Sequence, residues 1–180
     1  MTIALLLLVA VSSVASAQVP FIGMYADDQV VVCHTELPVY VTTSVYFFAT
    51  IGSIPAITAA EFSVSNLPGP ADALITPNWN TPLVIGDAGY GIALAFSPAL
   101  PGPDAFLGTL DFFALNDLGA DYGMAVLASN DSGLLVVVDD VYDTLNAEGG
   151  LFTFNCSGEC ECADTIATDE STISSIKALY

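Results

Sequence analysis

The fold is decided by the stretch Ala105-Phe-Leu-Gly-Thr-Leu-Asp-Phe-Phe-Ala-Leu-Asn116. Its even positions from 110 to 114 are apolar, whereas Thr109 and Asp111 are polar, and this alternation places one set on each face of a β-strand. Phe113 and Leu115 then place apolar side chains on the otherwise polar face, so we expect this second face to be partly covered as well. The stretch therefore predicts a central strand of a layered β protein.

Similar patterns recur along the chain, and no helical periodicity appears before the last residues. Ile57–Leu67 alternates most cleanly, and in Gly91–Phe96 the large apolar residues share one parity. The other predicted strands are Val19–Tyr25, Gln29–Cys33, Pro38–Ile51, Leu74–Thr76, Pro82–Ile85, Tyr122–Ala128, Leu134–Val138 and Leu151–Asn155. Short strands with turn residues roughly every 8–12 positions predict an all-β, two-sheet antiparallel sandwich of about nine strands, of jelly-roll or immunoglobulin-like type.

The amino-terminal segment has the pattern of a secretory signal peptide. Ile3–Val11 is an unbroken apolar run, too short to span a bilayer comfortably, and Ala15-Ser-Ala17 is a small-residue cleavage signal. We expect cleavage before Gln18, with residues 1–17 as signal peptide and 18–156 as the sandwich domain. No later run is apolar enough for a membrane span, so the sequence predicts a protein secreted or held at the cell surface.

The charge balance excludes whole classes of partner. The chain has 20 Asp and Glu residues, one Lys or Arg in total and one His, for a formal net charge of −19 at pH 7. Nothing in it can neutralise phosphates, so nucleic acids and anionic membrane surfaces are excluded. Such acidity suits a salty or calcium-containing medium, and it also serves simply to keep an apolar β protein soluble.

Four cysteines fit an oxidising compartment. Cys33 and Cys156 both follow predicted strands, so we expect a Cys33–Cys156 disulfide, with Cys160 and Cys162 paired in a tight loop. A zinc site is the alternative. Its support is poor, because the spacing of the last three cysteines with one distant His does not match a zinc motif.

The last residues differ from the sandwich. Residues 157–168 are small and polar and predict a linker, whereas 169–180 predict an amphipathic helix capped by Asp169. Its apolar positions, taken as a partner-binding face, are Ile173, Ile176, Leu179 and Tyr180. So short a helix is marginal alone, so it must dock either on its own sandwich or on a partner.

Three motifs in order, Ile57–Val64, Gly91–Phe96 and Leu107–Phe112, resemble those of the cohesin-like (carbohydrate-binding-like) β-sandwich. The resemblance covers about residues 35–155. It implies a sandwich that binds partner proteins or carbohydrate, or that acts as a surface scaffold. The closing Ile-Lys-Ala-Leu-Tyr180 is similar to the ends of small exported bacterial proteins.

A calcium site is the one cofactor site that the sequence offers. Asp139, Asp140 and Asp143 lie in one loop, and carboxylates are the hard oxygen ligands that Ca²⁺ takes. Two other loops carry acidic pairs, at Asp27 with Asp28 and at Asp117 with Asp121. The alternative is that all three are ordinary solvated turns.

A sugar site is predicted around the only Trp. Trp79 stands between Asn78 and Asn80 in a Pro-bounded loop, with Tyr90 further on, and an aromatic platform with amide donors can stack a sugar ring. The alternative is that Trp79 caps the end of the core.

These observations favour a non-enzymatic binding or structural role outside the cell, with an extracellular protein or a polysaccharide as partner. No catalytic residue is singled out: His34 is the only His and follows a cysteine expected to be oxidised. A carbohydrate-binding module is the second interpretation, and an extracellular hydrolase using a pair of carboxylates is the third.

Overall fold

The computed structural model describes residues 19–160 and 162. The described residues form β-strands and no helix, so the signal peptide and the tail helix predicted from the sequence lie outside them. The strands are β1 (Phe21–Tyr25), β2 (His34–Thr35), β3 (Thr42–Thr50), β4 (Ala56–Ser65), β5 (Ala73–Trp79), β6 (Leu83–Asp87), β7 (Gly91–Pro101), β8 (Asp104–Ala114), β9 (Tyr122–Leu127), β10 (Val136–Asp139), β11 (Thr144–Asn146), β12 (Glu148–Gly149) and β13 (Leu151–Phe154). This part of the chain contains no helix that could cross a membrane.

The strands form two sheets that pack face to face. The first sheet has five strands in the order β12-β1-β3-β8-β5. In the second sheet, β4 pairs on one side with β7, and β7 pairs in turn with β6. On its other side, β4 pairs with both β9 and β10. Strands β13 and β2 extend the sheet beyond β9, and β11 extends it beyond β10.

Two pairings correct the prediction of an antiparallel sandwich. β1 pairs with β12 and β2 pairs with β13 in parallel, so both sheets are mixed. Each parallel pair joins an early strand to a late one, and neither strand of such a pair is linked to the other by a hairpin. The short strands β2 and β12 also raise the number of strands above the predicted nine.

Most of the stretch Ala105–Asn116 lies in β8, which pairs on one side with β3 and on the other with β5. Leu110 and Phe112 are buried in the core, and Asp111 lies on the outer face, where its two carboxylate oxygens accept hydrogen bonds from Ser44 Oγ (2.7 Å) and Asn78 Nδ2 (2.8 Å). The prediction of an interior strand is confirmed. β4 and β7 pair with each other in the second sheet.

Aromatic rings fill the space between the sheets. Phe47 and Phe62 are fully buried and stack with ring centroids 5.8 Å apart. A second group joins Phe112, Phe154 and Phe152 through edge-to-face contacts with centroids 5.1 Å apart. Such pairs add about 0.5–1.5 kcal/mol each to what burial alone contributes, so these rings dominate the core.

The sandwich is closed along one side and open along the other. On the closed side, Gly150 N donates to Ile22 O in the first sheet, and Gly150 O accepts from Val126 N in the second, at 2.9 Å each. On the opposite side, the last strand of the first sheet is β5 and that of the second is β6, and each has a single partner strand among the described residues. The inner faces of β5 and β6 therefore border an opening between the sheets.

The predicted strand Gln29–Cys33 is not formed. Asp27 Oδ1 accepts the N–H of Gln29 at 2.9 Å, and Val30 has a left-handed φ of 61°, so this segment is a turn that leads into β2. A non-glycine residue with a left-handed φ interrupts an extended strand. The prediction overlooked the preference of Asp for closing such a turn with its own side chain.

The disulfide pairing is also corrected. Cys33 pairs with Cys162 and Cys156 pairs with Cys160, with Cα–Cα distances of 5.3 and 6.2 Å. The parallel register of β13 with β2 sets Thr153 beside His34. This register places Cys33 level with Phe152, so Cys156 lies four residues further along, about 13 Å of extended chain at about 3.3 Å per residue, beyond the reach of a disulfide. Two disulfides fit an extracellular protein.

Candidate functional site

The hairpin of β6 and β7 forms the open edge of the second sheet. Thr81 Oγ1 accepts the N–H of Leu83 at 3.0 Å and donates to Ala95 O at 2.5 Å, which fixes the start of β6 against β7. Asp87 Oδ1 accepts the N–H groups of Gly89 and Tyr90 at 2.9 and 3.0 Å and closes the turn at the other end. The exposed strand between these two points is therefore held in a defined position.

A glycine in β6 permits the close approach of the two strands. Gly86 has a φ of 84°, and a Cβ built on it would collide with the carbonyl oxygen of Gly91 on β7. Only glycine adopts this conformation without strain. We expect that any side chain at this position would displace the end of β6.

The outer surface of the hairpin is apolar. Leu83 is 57% exposed and Ile85 is 77% exposed. They stand opposite Ala95 and Ala93 of β7, which in turn lie opposite Ala59 and Glu61 of β4. We call Leu83, Ile85, Ala93, Ala95 and Ala59 the outer apolar face; together with Pro82 they border a groove of about 440 Å³.

The inner side of the same strand borders a second cavity. This inner cleft, of about 430 Å³, opens between the edges of the two sheets. Its apolar lining includes Ile75, Pro77, Trp79, Val84, Ile92 and Leu110. Asp87 is the one ionisable side chain that lines it. Because side chains along a strand alternate between faces, β6 presents Leu83 and Ile85 to the outer face and Val84 to the cleft.

The predicted sugar platform is not formed as proposed. The ring of Trp79 turns inward, edge-to-face with Phe47 and Phe62 at 5.4 and 5.9 Å, and is half-buried. The Nδ2 groups of Asn78 and Asn80 donate to Asp111 and to the backbone oxygen of Phe106, so both amides are already engaged. Trp79 therefore acts as a wall of the inner cleft.

Tyr90 does not join Trp79. Its side chain is 56% exposed, and it is not among the residues that line the inner cleft. Its backbone oxygen accepts two hydrogen bonds from Asn130, one from the main chain and one from the side chain, each 2.8 Å long. Tyr90 thus anchors the loop between β9 and β10 rather than extending a platform.

The carboxylates of the predicted calcium loop do not converge in the described residues. Asp139 Oδ1 accepts the N–H groups of Val141 and Asp143 at 3.0 and 2.8 Å and so closes a turn. Asp139, Asp140 and Asp143 do not form a cluster whose ligand atoms all lie within 4.8 Å of one another. Calcium binding by this loop stays a prediction without a preformed ligand set.

Among the described residues, Asp121 is the carboxylate whose hydrogen bonds shift its pKa. Ser157 donates to it through Oγ at 2.6 Å and through its backbone N–H at 2.8 Å, and these bonds lower the pKa of Asp121 below its usual value. The nearby sulfurs of Cys156 and Cys160 form a disulfide, so the three groups are not a metal site. The Asp121 carboxylate instead fixes the chain at the start of the Cys156–Cys160 loop.

The sequence pattern did not reveal the exposure of Leu83 and Ile85. Pro82–Ile85 was predicted only as an ordinary strand, and the four apolar residues 82–85 gave no sign of which face would be covered. The available signal was the absence of any polar residue at alternate positions, which predicts burial on both faces. Here both faces of the strand border cavities instead. The predicted partner-binding residues Ile173, Ile176, Leu179 and Tyr180 lie outside the described residues.

No protein-family model matches the sequence, and no curated protein is significantly similar to it. Solved structures with a similar chain path include the cohesin module of a family 33 glycoside hydrolase from Clostridium perfringens, 9% identical, with a TM-score of 0.48 over 77% of this chain and 98% of the module. The sixth cohesin of scaffoldin B from Acetivibrio cellulolyticus, solved with a dockerin, is 13% identical, with a TM-score of 0.46 over 77% of this chain and 99% of that one. A non-cellulosomal cohesin from Archaeoglobus fulgidus is 13% identical, with a TM-score of 0.42 over 76% and 91%.

All three structures are cohesin modules, which agrees with the cohesin-like resemblance of the sequence motifs. At these identities the likeness concerns the course of the strands. No binding residue and no partner is carried over from it to this chain.

Proposed function

We propose that the chain is a secreted, non-enzymatic interaction module that binds a protein partner through the outer apolar face. The observation that carries the proposal is the exposure of Leu83 and Ile85 beside three alanines on the outer surface of the sheet. Contiguous apolar surface rimmed by polar residues marks interaction sites in soluble proteins. The open groove beside these residues offers a partner contact area rather than an enclosed reaction site.

A non-enzymatic role is supported by the position of the single histidine. His34 lies on the short strand β2, and its Nδ1 is buried without a hydrogen-bond partner among the described residues. An imidazole so placed is not connected to a nucleophile or a carboxylate by that nitrogen, as a general base in a relay would be. Hydrolysis of any member of a panel of esterase and glycosidase substrates would contradict this role.

The proposal is tested with two variants that differ only in the face they alter. Ile85→Gln removes an apolar side chain from the outer apolar face, and Leu74→Gln removes one that is 53% exposed on β5 of the other sheet. Each variant, and the wild-type protein, is used to capture proteins from the medium and surface of the producing cells. We expect a captured protein to bind Ile85→Gln about tenfold more weakly than wild type, and Leu74→Gln as wild type does.

Equal capture by all three proteins would show that the outer apolar face is not the binding site. Both altered side chains are exposed, so the melting temperatures of the variants should agree with that of the wild type and serve as the folding control. Secretion is tested on the same material. The amino terminus of the protein recovered from the medium should be Gln18, and recovery of a chain that begins at Met1 would contradict it.

A further inference from the structure

The strand β6 has an unpaired backbone edge. Among the described residues it pairs with β7 alone, and all five of its residues are exposed. In such an edge strand, alternate N–H and C=O groups point away from the sheet without a strand to receive them. Natural edge strands are usually protected by Lys, Pro or a covering segment, and within β6 only Asp87, at its end, carries a charge.

Each face of this edge borders an apolar cavity. The outer groove of about 440 Å³ runs beside Leu83 and Ile85, and the inner cleft of about 430 Å³ lies beside Val84. A strand added next to β6 would send alternate side chains to the two faces of the sheet. One set would then lie at the mouth of the inner cleft and the other beside the outer groove.

We infer that β6 receives an extended segment of the protein partner by strand addition. This segment carries small apolar side chains at alternate positions and has Lys or Arg residues at both ends. The inference rests on the proposed function and specifies its mode and its partner. In strand addition, main-chain hydrogen bonds supply affinity, and the pockets for alternate side chains supply specificity. The free edge of β6 supplies the main-chain hydrogen bonds, and the two cavities beside β6 supply the pockets.

The charge of the chain selects a basic segment over a second copy of the same chain. A second copy would bring another net charge of −19 to the contact, whereas a segment flanked by Lys or Arg would be attracted. Acidic groups are also close to the edge strand. Asp87 ends β6, and Glu61 lies in the same cross-strand row as Ile85, where it accepts a hydrogen bond from Ser132.

The test uses two synthetic peptides of identical side chains and charge. The first is Lys-Lys-Val-Thr-Val-Thr-Val-Lys-Lys, and the second carries N-methyl groups on one Thr and on the Val beside it. Because neighbouring N–H groups of a strand point to opposite edges, the second peptide has lost donors on both edges. Binding is followed by the fluorescence of Trp79, the only Trp in the chain and a wall of the inner cleft.

We expect the first peptide to shift the Trp79 emission and to bind at least about tenfold more tightly than the methylated one. Ile85→Gln should weaken the binding of the first peptide, whereas Leu74→Gln should not. Raising the salt concentration should also weaken this binding. Equal binding of both peptides would overturn strand addition while leaving docking on the outer apolar face in place. No binding of either peptide at millimolar concentration would overturn the inference, and the capture experiment then decides the proposed function separately.

A second copy as the occupant is a separate outcome. Sedimentation of the wild-type protein without peptide should show a monomer. A dimer that Ile85→Gln dissociates and Leu74→Gln does not would overturn the assignment of β6 to a basic partner.

Discussion

Phe62 lies on the inner face of β4, against Phe47 and Trp79 of the other sheet. Its ring is fully buried, stacks on Phe47 and contacts the edge of Trp79, so its removal would leave a cavity that these rings cannot fill. We expect Phe62→Ala to lower the free energy of unfolding by about 3–5 kcal/mol, measured by urea denaturation. Phe113→Ala, at a half-buried position on the outer face of β8, is the matched control and should cost clearly less. Equal losses would contradict this account of the core.

The Asp121–Ser157 contact makes a definite contribution to the pH dependence of stability. Since hydrogen bonds from Ser157 lower the pKa of Asp121, the ionised carboxylate favours the folded state. That stabilisation is complete above the ordinary Asp pKa of about 3.9 and is lost as the pH falls through the lower folded-state pKa. We expect Ser157→Ala to lower the melting temperature at neutral pH and to make its fall below about pH 4 shallower than in the wild type.

The comparison variant for this contact is Ser132→Ala, which removes a hydroxyl donor from Glu61 and leaves Asp121 unchanged. Parallel melting curves of wild type and Ser157→Ala across the acid range would show that the carboxylate contributes nothing through Ser157.

The residues near Trp79 predict the orientation of its ring only in part. Its parity with Ala73 and Ile75 along β5 predicts an inward ring, but Pro77 stands in the same stretch. Proline lacks the N–H that an interior strand must donate, so the segment was predicted as a loop with an exposed Trp. β5 is an edge strand, where proline is tolerated, and edge position depends on the whole sheet rather than on the residues near Trp79.

At the level of elements, alternating strands were predictable and short strands were not. β4, β7 and β8 carry their own period-two pattern and were found at close to the expected positions. β2 and β12 have two residues each, too few for any pattern, and exist because a distant strand provides a partner. The cysteine pairing was wrong for the same reason, since the register of β13 on β2 carries Cys156 past Cys33.

The two disulfides are expected to differ in what they contribute. The Cys33–Cys162 bridge spans a sequence separation of 129, and the Cys156–Cys160 bridge spans 4. From loop-closure entropy, replacing Cys33 and Cys162 by Ala should lower the free energy of unfolding by about 4–5 kcal/mol, against about 2 kcal/mol for the other pair. Denaturation of the two double variants measures the difference.

The pairing itself is read from a digest without reductant. Cleavage after Glu159 and Glu161 places Cys156, Cys160 and Cys162 in separate fragments. The fragment with Cys162 should remain linked to the one with Cys33. Its recovery linked to Cys160 instead would restore the pairing expected from the sequence and contradict the structure.

At the scale of the whole molecule, a net charge of −19 opposes compactness. Self-repulsion between exposed carboxylates is felt over about 30 Å at 0.01 M salt and over about 8 Å at 0.15 M. We therefore expect the melting temperature to rise as NaCl is increased between these concentrations, and sodium sulfate at equal ionic strength to give at least the same rise. A melting temperature that is independent of salt would show that the charges are too widely spread to matter.

The Cys33–Cys162 bridge also determines how the molecule responds to tension. A force applied to the two ends of the chain would pull away β1, which lies before Cys33, while the bridge carries the load around everything between the two cysteines. Reduction would release the bridged loop, whose sequence separation of 129 corresponds to about 450 Å of extended chain at about 3.5 Å per residue. While the bridge is intact, the strands from β2 to β13, including β6, do not carry this load.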